Sequence, residues 1–118
     1  LSCAREHGSA FLKDAALVFV VLGDSKVTDV WVEDDSLAAI IIQLTAQSIG
    51  LGSCWVQVRN RQYSQEKTTE KYVQGLLNIP EHLKVECMIG IGYPDEKREG
   101  KTDQDLDFSR FQTNRYRD

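Results

Sequence analysis

Residues 34–58 read DDSLAAIIIQLTAQSIGLGSCWVQV, and this stretch carries the strongest pattern in the sequence. Apolar side chains recur at three- and four-residue spacings from Leu37 to Ala46, which predicts a helix of about 15 residues. Asp34 or Asp35 is expected to cap its start, and Gly50 stands where a left-handed cap would end it. The following residues, 54–58 (CWVQV), predict a short strand.

The predicted helix is apolar on nearly every face, because the isoleucines at 40–42 fill the faces that a one-sided helix leaves polar. A β-branched triplet favours strands, but the apolar pattern is longer than most strands. We therefore expect a helix that is covered on all sides. In so short a chain, part of that cover must come from a second subunit or from residues outside this sequence.

The remaining segments alternate between strand and helix signals. We expect a helix over residues 4–13, a central and fully covered strand over Leu17–Leu22, and a loop over residues 25–33 around Trp31. Ser64 is expected to cap a helix that runs to Leu77 before Pro80, and Leu83–Tyr93 alternates like a half-buried strand, with Val85, Cys87, Ile89 and Ile91 on one face. This order predicts an α/β (α+β) sandwich, with a small sheet flanked by helices.

Composition excludes several classes of protein. The 118 residues are 42% hydrophobic and carry a net charge of −4, which gives no electrostatic reason to expect nucleic acid as a partner. The longest apolar run, residues 15–23, is shorter than the roughly 20 residues that span a membrane. The sequence shows no apolar segment typical of a secretion signal, so we do not expect secretion, and three cysteines without CxxC spacing predict reduced, mostly buried thiols in a cytoplasmic protein.

Three segments, in order, resemble the FMN-dependent nitroreductase family. The first is the apolar run AALVFVVLGD at residues 15–24, with Ala16 where the family usually has proline. The second begins with WVEDD at residues 31–35 and ends with GLGSCW at residues 50–55. The third joins LNIP at residues 77–80 to IGIGYP at residues 89–94, and together the segments cover most of the chain.

The resemblance implies a mostly antiparallel sheet in an intertwined homodimer, with FMN at the subunit interface. Residues 1–94 would form the core, incomplete at its N-terminus, and residues 95–118 an arm that embraces the partner. The chain begins at Leu1, and the family's N-terminal segment that clamps the FMN phosphate is absent from it. Ile41 also stands where many relatives carry asparagine.

The resemblance also implies the cofactor-binding residues. The backbone of Trp55, Val56 and Gln57 would run along the flavin ring, although the same residues also read as an ordinary core strand. Gly52 either allows close approach to a ligand or belongs only to the end of the helix. A basic residue among Lys97, Arg98 and Lys101 would meet the FMN phosphate, although each also reads as part of a solvated tail.

No catalytic side chain and no metal site is predicted. His7 and His82 are isolated from other ligand-type residues, and Cys54 has no basic neighbour that would activate its thiol. A flavoenzyme needs neither, because the cofactor performs the chemistry and the protein binds and orients it. We therefore expect an NAD(P)H-dependent FMN oxidoreductase that reduces nitroaromatic, quinone or similar small-molecule acceptors. The alternative is a truncated, flavin-free relative that acts as a dimerising or small-ligand-binding module.

Overall fold

A computed structural model describes residues 1–5, 7–96 and 98–116 of the chain. Its core elements are a short 3-10 helix at Ala10–Lys13, strand β1 at Leu17–Asp24, helix α1 at Trp31–Ser48, strand β2 at Gly52–Gln57, helix α2 at Thr69–Leu77 and strand β3 at Leu83–Gly92. The three strands form one sheet in the order β1-β3-β2, and both pairings are antiparallel. The predicted small antiparallel sheet with flanking helices is confirmed.

The central strand is β3, with seven consecutive buried residues, Val85–Ile91. The predicted half-buried exposure of this strand is therefore wrong. The expectation of a central, covered strand at residues 17–22 is wrong as well, because β1 lies at the edge of the sheet and exposes Leu17 and Phe19. An apolar run shows that both faces of a strand avoid water, but it does not show which neighbours cover them.

A β-bulge interrupts the ladder between β1 and β3. Val21 pairs with Cys87 and the next residue, Leu22, pairs with Val85, so that Glu86 is the extra residue on β3. Val85 consequently packs with the cluster on the α2 side of the sheet, whereas Cys87 packs with the cluster on the α1 side. The predicted placement of Val85 on the face of Cys87 is wrong for this reason.

Helix α1 begins earlier than the sequence predicts. Val30 is its N-cap and makes no side-chain cap hydrogen bond, and Trp31 belongs to the helix and not to a loop. Asp35 is therefore a buried residue inside the helix, and neither it nor Asp34 is the cap. The predicted end is confirmed, because Gly50 has φ of +78° and the N–H of Leu51 donates to the carbonyl of Ala46 at 2.9 Å.

Helix α2 is shorter than predicted. Its N-cap is Thr68, whose hydroxyl accepts the N–H of Lys71 at 3.2 Å, so the prediction of Ser64 as the cap is wrong. Asn78 ends the helix in a left-handed conformation with φ of +55°, two residues before Pro80. The helix predicted over residues 4–13 is reduced to the 3-10 turn at 10–13.

The remaining expectations concern the cysteines and the tail. Cys3 and Cys54 are exposed and Cys87 is buried, so the expectation of mostly buried thiols is wrong for two of the three. Residues 98–116 are exposed and contain two short 3-10 helices, Asp103–Asp105 and Phe108–Arg110. The division into a core at 1–94 and a partner-embracing arm at 95–118 remains a prediction.

Candidate functional site

The outer edge of β2 carries the predicted flavin-contacting segment. The N–H of Val58 donates to the carbonyl of Glu86 on β3 at 3.2 Å. Because successive residues of a strand direct their backbone groups to opposite sides, Trp55 and Gln57 point their N–H and C=O groups away from β3. In the described part of the chain no strand covers this edge. Val56, between them, bonds towards β3 and buries its side chain in the core.

Trp55 and Gln57 are joined by a side-chain hydrogen bond across the α1 face of the sheet. The indole Nε1–H of Trp55 donates to Oε1 of Gln57 at 3.0 Å. The amide Nε2–H of Gln57 donates to the Arg59 carbonyl at 3.1 Å and to Oε1 of Glu86 at 3.3 Å. Every polar end of the Gln57 amide is thus engaged, and both its orientation and that of the indole are determined.

Two carboxylates lie buried beside this network. Glu86 is 4% exposed and Asp35 is 8% exposed, and each has one carboxylate oxygen without a hydrogen-bond partner among the described residues. Burial raises the pKa of the Asp35 carboxyl above its ordinary value, and the charges of Glu86 and Asp34 raise it further. Burial likewise raises the pKa of the neighbouring Cys87 thiol to about 12, with Glu86 and Asp35 contributing.

Arg59 connects the acidic pair to a cavity of about 570 Å³. Its Nε lies 3.9 Å from Oε2 of Glu86, and its guanidinium carbon lies 5.9 Å from the centre of the Trp31 ring. Arg61 and Lys84 line the same cavity, so three cationic side chains meet there.

Gly52 lies at the opposite end of β2, beside a cavity of about 460 Å³. It pairs with Gly92, and a Cβ atom on Gly52 would stand 3.4 Å from Cβ of Pro94. Gln57 lies five residues after Gly52 along the extended strand, a distance of about 17 Å. The predicted contacts therefore occupy both ends of one strand.

The predicted phosphate-binding residues follow the end of β3, on the Gly52 side of the sheet. Arg98 forms an ion pair with Glu96 at 2.9 Å, and its side chain is 82% exposed. Lys101 is also exposed. Lys97 lies outside the described residues. Arg98 thus lies near the cavity beside Gly52, because its ion-pair partner Glu96 lines that cavity.

Comparison with known proteins agrees with this arrangement of strands and helices. The model of the Nitroreductase family matches residues 3–93, more than three quarters of the chain. The chain belongs to the nitroreductase family.

Named relatives of this nitroreductase-family chain include two archaeal proteins, each provisionally named NADH dehydrogenase/NAD(P)H nitroreductase. The protein of Methanothermobacter thermautotrophicus is 39% identical over 90 residues, which cover 74% of this chain and 44% of the relative. The protein of Archaeoglobus fulgidus is 35% identical over 92 residues, which cover 75% and 50% respectively. The chain therefore spans about half the length of these curated relatives.

A solved structure extends the similarity to nearly the whole chain. The FMN-dependent nitroreductase of Clostridium difficile R20291 superposes with a TM-score of 0.95 at 45% identity. The superposition covers 98% of this chain and 67% of that protein. The sheet order and the two helices described above are thus those of a nitroreductase fold.

Glu86 and Asp35, the two buried carboxylates beside the Trp55–Gln57 segment, were not predicted as site residues from the sequence. Glu86 stands at a position that the strand alternation assigns to solvent, and only the bulge, which has no local sequence signal, brings it into the buried network. Asp35 looked like a helix cap because it precedes the first apolar residues. A helix that begins at Trp31 places Asp35 one turn after Trp31 on the same face, and this spacing could have marked Asp35 as a residue inside the helix.

Within residues 1–5, 7–96 and 98–116, no group of three or more His, Cys, Asp or Glu side chains is arranged to hold a metal ion. Among the helices of these same residues, none is long and apolar enough to cross a membrane.

Proposed function

We propose that this chain is part of an FMN-dependent oxidoreductase that passes hydride equivalents from NAD(P)H to a nitroaromatic, quinone or similar small acceptor. The observation that carries the proposal is the open edge of β2, where Trp55 and Gln57 present backbone groups that no strand of the described residues pairs with. Support comes from the family and from the 45% identity to a nitroreductase described as FMN-dependent.

The described residues are compatible with FMN in three respects. Backbone N–H groups at the β2 edge suit the polar edge of the isoalloxazine, where they would stabilise the charge of the reduced ring. Arg98 and Lys101 are cations suited to the phosphate, and the roughly 17 Å between the two ends of β2 demands an elongated ligand. When bound, FMN supplies the redox chemistry. The protein's part is to bind, to orient and to exclude water.

The test is a visible absorption spectrum of the longest natural version of the protein, recorded before and after addition of FMN. We expect a bound-flavin spectrum that bleaches under anaerobic conditions when NADH or NADPH is added, and the more effective donor would identify the physiological one. A folded protein that binds no FMN would overturn the proposal and make the chain a flavin-free relative. In that case the edge of β2 would have to serve another ligand.

We also propose that the protein acts as a homodimer, with the exposed face of α1 at its centre. Leu37, Ile41 and Leu44 are each more than 60% exposed, and an apolar groove of about 290 Å³ lies between Ile41 and Phe19. Continuous apolar surface of this kind is uncommon on monomers. The exposed aromatic residues of the arm would gain apolar cover from the second copy; they are Phe108, Phe111 and Tyr116.

Sedimentation or light scattering tests the dimer. Ile41→Asp places a charge in the centre of the proposed interface and should yield monomers. Val27→Asp is the matched control, since Val27 is an even more exposed apolar residue, 80% accessible, in the loop before α1. A dimer that survives Ile41→Asp would exclude this face as the interface.

The proposed reaction also implies a location. An NAD(P)H-dependent enzyme with three free cysteines suits a reducing compartment, and we propose the cytoplasm. Fractionation of cells that express the natural protein, followed by immunodetection, tests this directly. Recovery in an oxidising compartment would contradict it.

A further inference from the structure

The bulge on β3 places an acidic side chain where an apolar one would be expected. Glu86 is the extra residue of the ladder, and its side chain is 5% exposed in the centre of the sheet. A bulge redirects a side chain relative to its neighbours, and bulges are enriched beside functional sites. Burial of a carboxylate is costly unless bonded groups compensate for it. The groups that surround Glu86 therefore indicate the function of its buried position.

Three elements present polar or charged groups to Glu86. Gln57 at the end of β2 donates its amide Nε2–H to Oε1, and Arg59, just beyond β2, lies 3.9 Å from Oε2. Asp35 on α1 contributes a second buried carboxylate. Lys84, two residues before Glu86 on the same strand, directs its ammonium group to the Glu81 carbonyl instead. The strongest directional contact of Glu86 is therefore with the Gln57 amide.

That contact is one of three that orient the Gln57 amide. A carboxylate accepts hydrogen bonds and donates none, so the NH₂ end of the amide faces Glu86, and it also donates to the Arg59 carbonyl at 3.1 Å. The Oε1 end faces the other way, towards the indole N–H of Trp55, which donates to it at 3.0 Å. With an apolar residue in place of Glu86, the amide would keep its bond to the Arg59 carbonyl but would lose its buried carboxylate acceptor. The Trp55 indole would then be held by a less firmly anchored amide.

We propose that Glu86 is a positioning residue of the flavin site. Through Gln57 it holds the indole of Trp55, and together these contacts keep the backbone of residues 55–57 turned towards the open edge of β2. This inference rests on the proposed function, since it assumes that flavin binds at that edge. Glu86 itself lies behind the strand and touches no ligand.

The first test needs no flavin. The protein contains two tryptophans, so the ¹⁵N-indole spectrum has two resonances, and Trp31→Phe assigns the one from Trp55. Glu86→Leu removes the acceptor and replaces it with an apolar side chain of similar size. The charged partner that remains, Arg59, is 41% exposed and stays hydrated, so the variant leaves no charge buried without a partner. We expect a shifted Trp55 resonance and hydrogen exchange faster by about tenfold, the equivalent of one lost hydrogen bond. Glu86→Gln retains an acceptor oxygen and should restore most of the protection.

The control is a second carboxylate that bonds to β3 from the other side of the sheet. Glu70 on α2 accepts the N–H of Val85 at 2.9 Å. Glu70→Leu removes a hydrogen bond of similar kind and should leave the Trp55 resonance in place. Equal changes in Glu86→Leu and Glu70→Leu would overturn the proposal, because the Trp55 signal would then report only general loosening.

The second variant tests the same hydrogen bond from its other end. Gln57→Met should accelerate hydrogen exchange of the Trp55 indole as Glu86→Leu does. The double variant should exchange no faster than either single variant, because all three break the same linkage from Glu86 through Gln57 to Trp55. Additive effects would mean that Glu86 acts on Trp55 by some other route and would overturn the proposal. Gln74→Met is the control for the loss of a buried glutamine. Gln74 lies on α2, and its side-chain amide donates to the Leu83 carbonyl at 2.9 Å.

The third measurement links the network to the cofactor, through the dissociation constant of FMN from quenching of flavin fluorescence. We expect Glu86→Leu to weaken binding about tenfold and Glu70→Leu to leave it near the unaltered value. Unchanged FMN affinity in Glu86→Leu, with an altered indole resonance, would overturn the positioning role. If the unaltered protein binds no FMN, the proposed function fails, and the indole measurements still decide whether Glu86 orders this segment.

Discussion

Gly23 on β1 and Asp35 on α1 approach each other so closely that a Cβ atom on Gly23 would stand 2.7 Å from Oδ2 of Asp35. The same atom would lie 2.8 Å from Cε3 of the Trp31 ring. Helix α1 therefore packs directly on the backbone of β1 at this point. The contact also keeps the Asp35 carboxylate out of water.

Replacement of Gly23 should be costly for this reason. We expect Gly23→Ala to lower the free energy of unfolding by about 1–3 kcal/mol, because the helix must move away from the strand. Gly75→Ala is the control: Gly75 lies inside α2 with open space around it, and alanine there should raise stability by about 0.5–1 kcal/mol. Urea denaturation of both variants measures the difference, and equal effects would contradict the packing described for Gly23.

The buried carboxyl of Asp35 should make stability depend on pH. Because its pKa in the folded protein is raised above the ordinary value of 3.8, the folded state binds a proton more tightly than the unfolded chain. Its contribution is complete below pH 3.8 and is lost as pH rises through the raised value. Asp35→Asn should therefore be more stable than the unaltered protein at pH 7, and the advantage should shrink towards pH 4.

Thermal denaturation of Asp35→Asn and of the unaltered protein between pH 4 and pH 8 measures this difference in stability. Asp34→Asn is the control, since Asp34 is the exposed neighbour on the same helix. An advantage of Asp35→Asn that is constant across the range, or equal to that of Asp34→Asn, would show that ionisation of Asp35 is not responsible.

The two candidate caps of α2 can be compared directly. Thr68→Ala should lower the free energy of unfolding by about 1 kcal/mol, because the N–H of Lys71 loses its acceptor. Ser64→Ala should change it by less than about 0.5 kcal/mol, since the Ser64 hydroxyl serves only the exposed turn at Glu66. Chemical denaturation decides between them, and a larger effect at Ser64 would restore the longer helix predicted from sequence.

The cysteines should differ sharply in reactivity. Cys87 is buried and burial raises its pKa to about 12, so almost no thiolate is present at pH 8. Cys3 and Cys54 are exposed. Titration with a thiol-reactive disulfide at pH 8 should therefore spare Cys87 until the protein is denatured. Cys87→Ser should leave the native count unchanged, whereas Cys3→Ser should lower it by one.

The sequence patterns predicted approximately where helices and strands lie along the chain, but not which of them lie side by side in the fold. The helix end at Gly50 and a short strand after it follow from local signals, a left-handed glycine and an apolar run. The helix end is confirmed, and the strand, predicted over residues 54–58, lies at Gly52–Gln57. The start of α1 was missed because Val30 caps it without a side-chain hydrogen bond, so that no capping residue marks the position.

The candidate site was only partly predictable for a similar reason. Trp55 and Gln57 stand on one strand, and their alternation places both side chains on one face. Glu86 joins them only because β3 bulges at that residue and lies between the other two strands. Strand order and bulges result from pairing between distant segments, and neither has a period that a single strand reveals.

The position of β3 also governs how the protein can be made. Among the described residues, β1 and β2 pair only with β3, which is the last of the three strands along the chain. During synthesis these two strands therefore lack β3 until residues 83–92 emerge from the ribosome, and their edges remain open to other chains in the meantime. Slow translation would prolong that exposure. Soluble yield should accordingly respond to growth temperature and to chaperone supply.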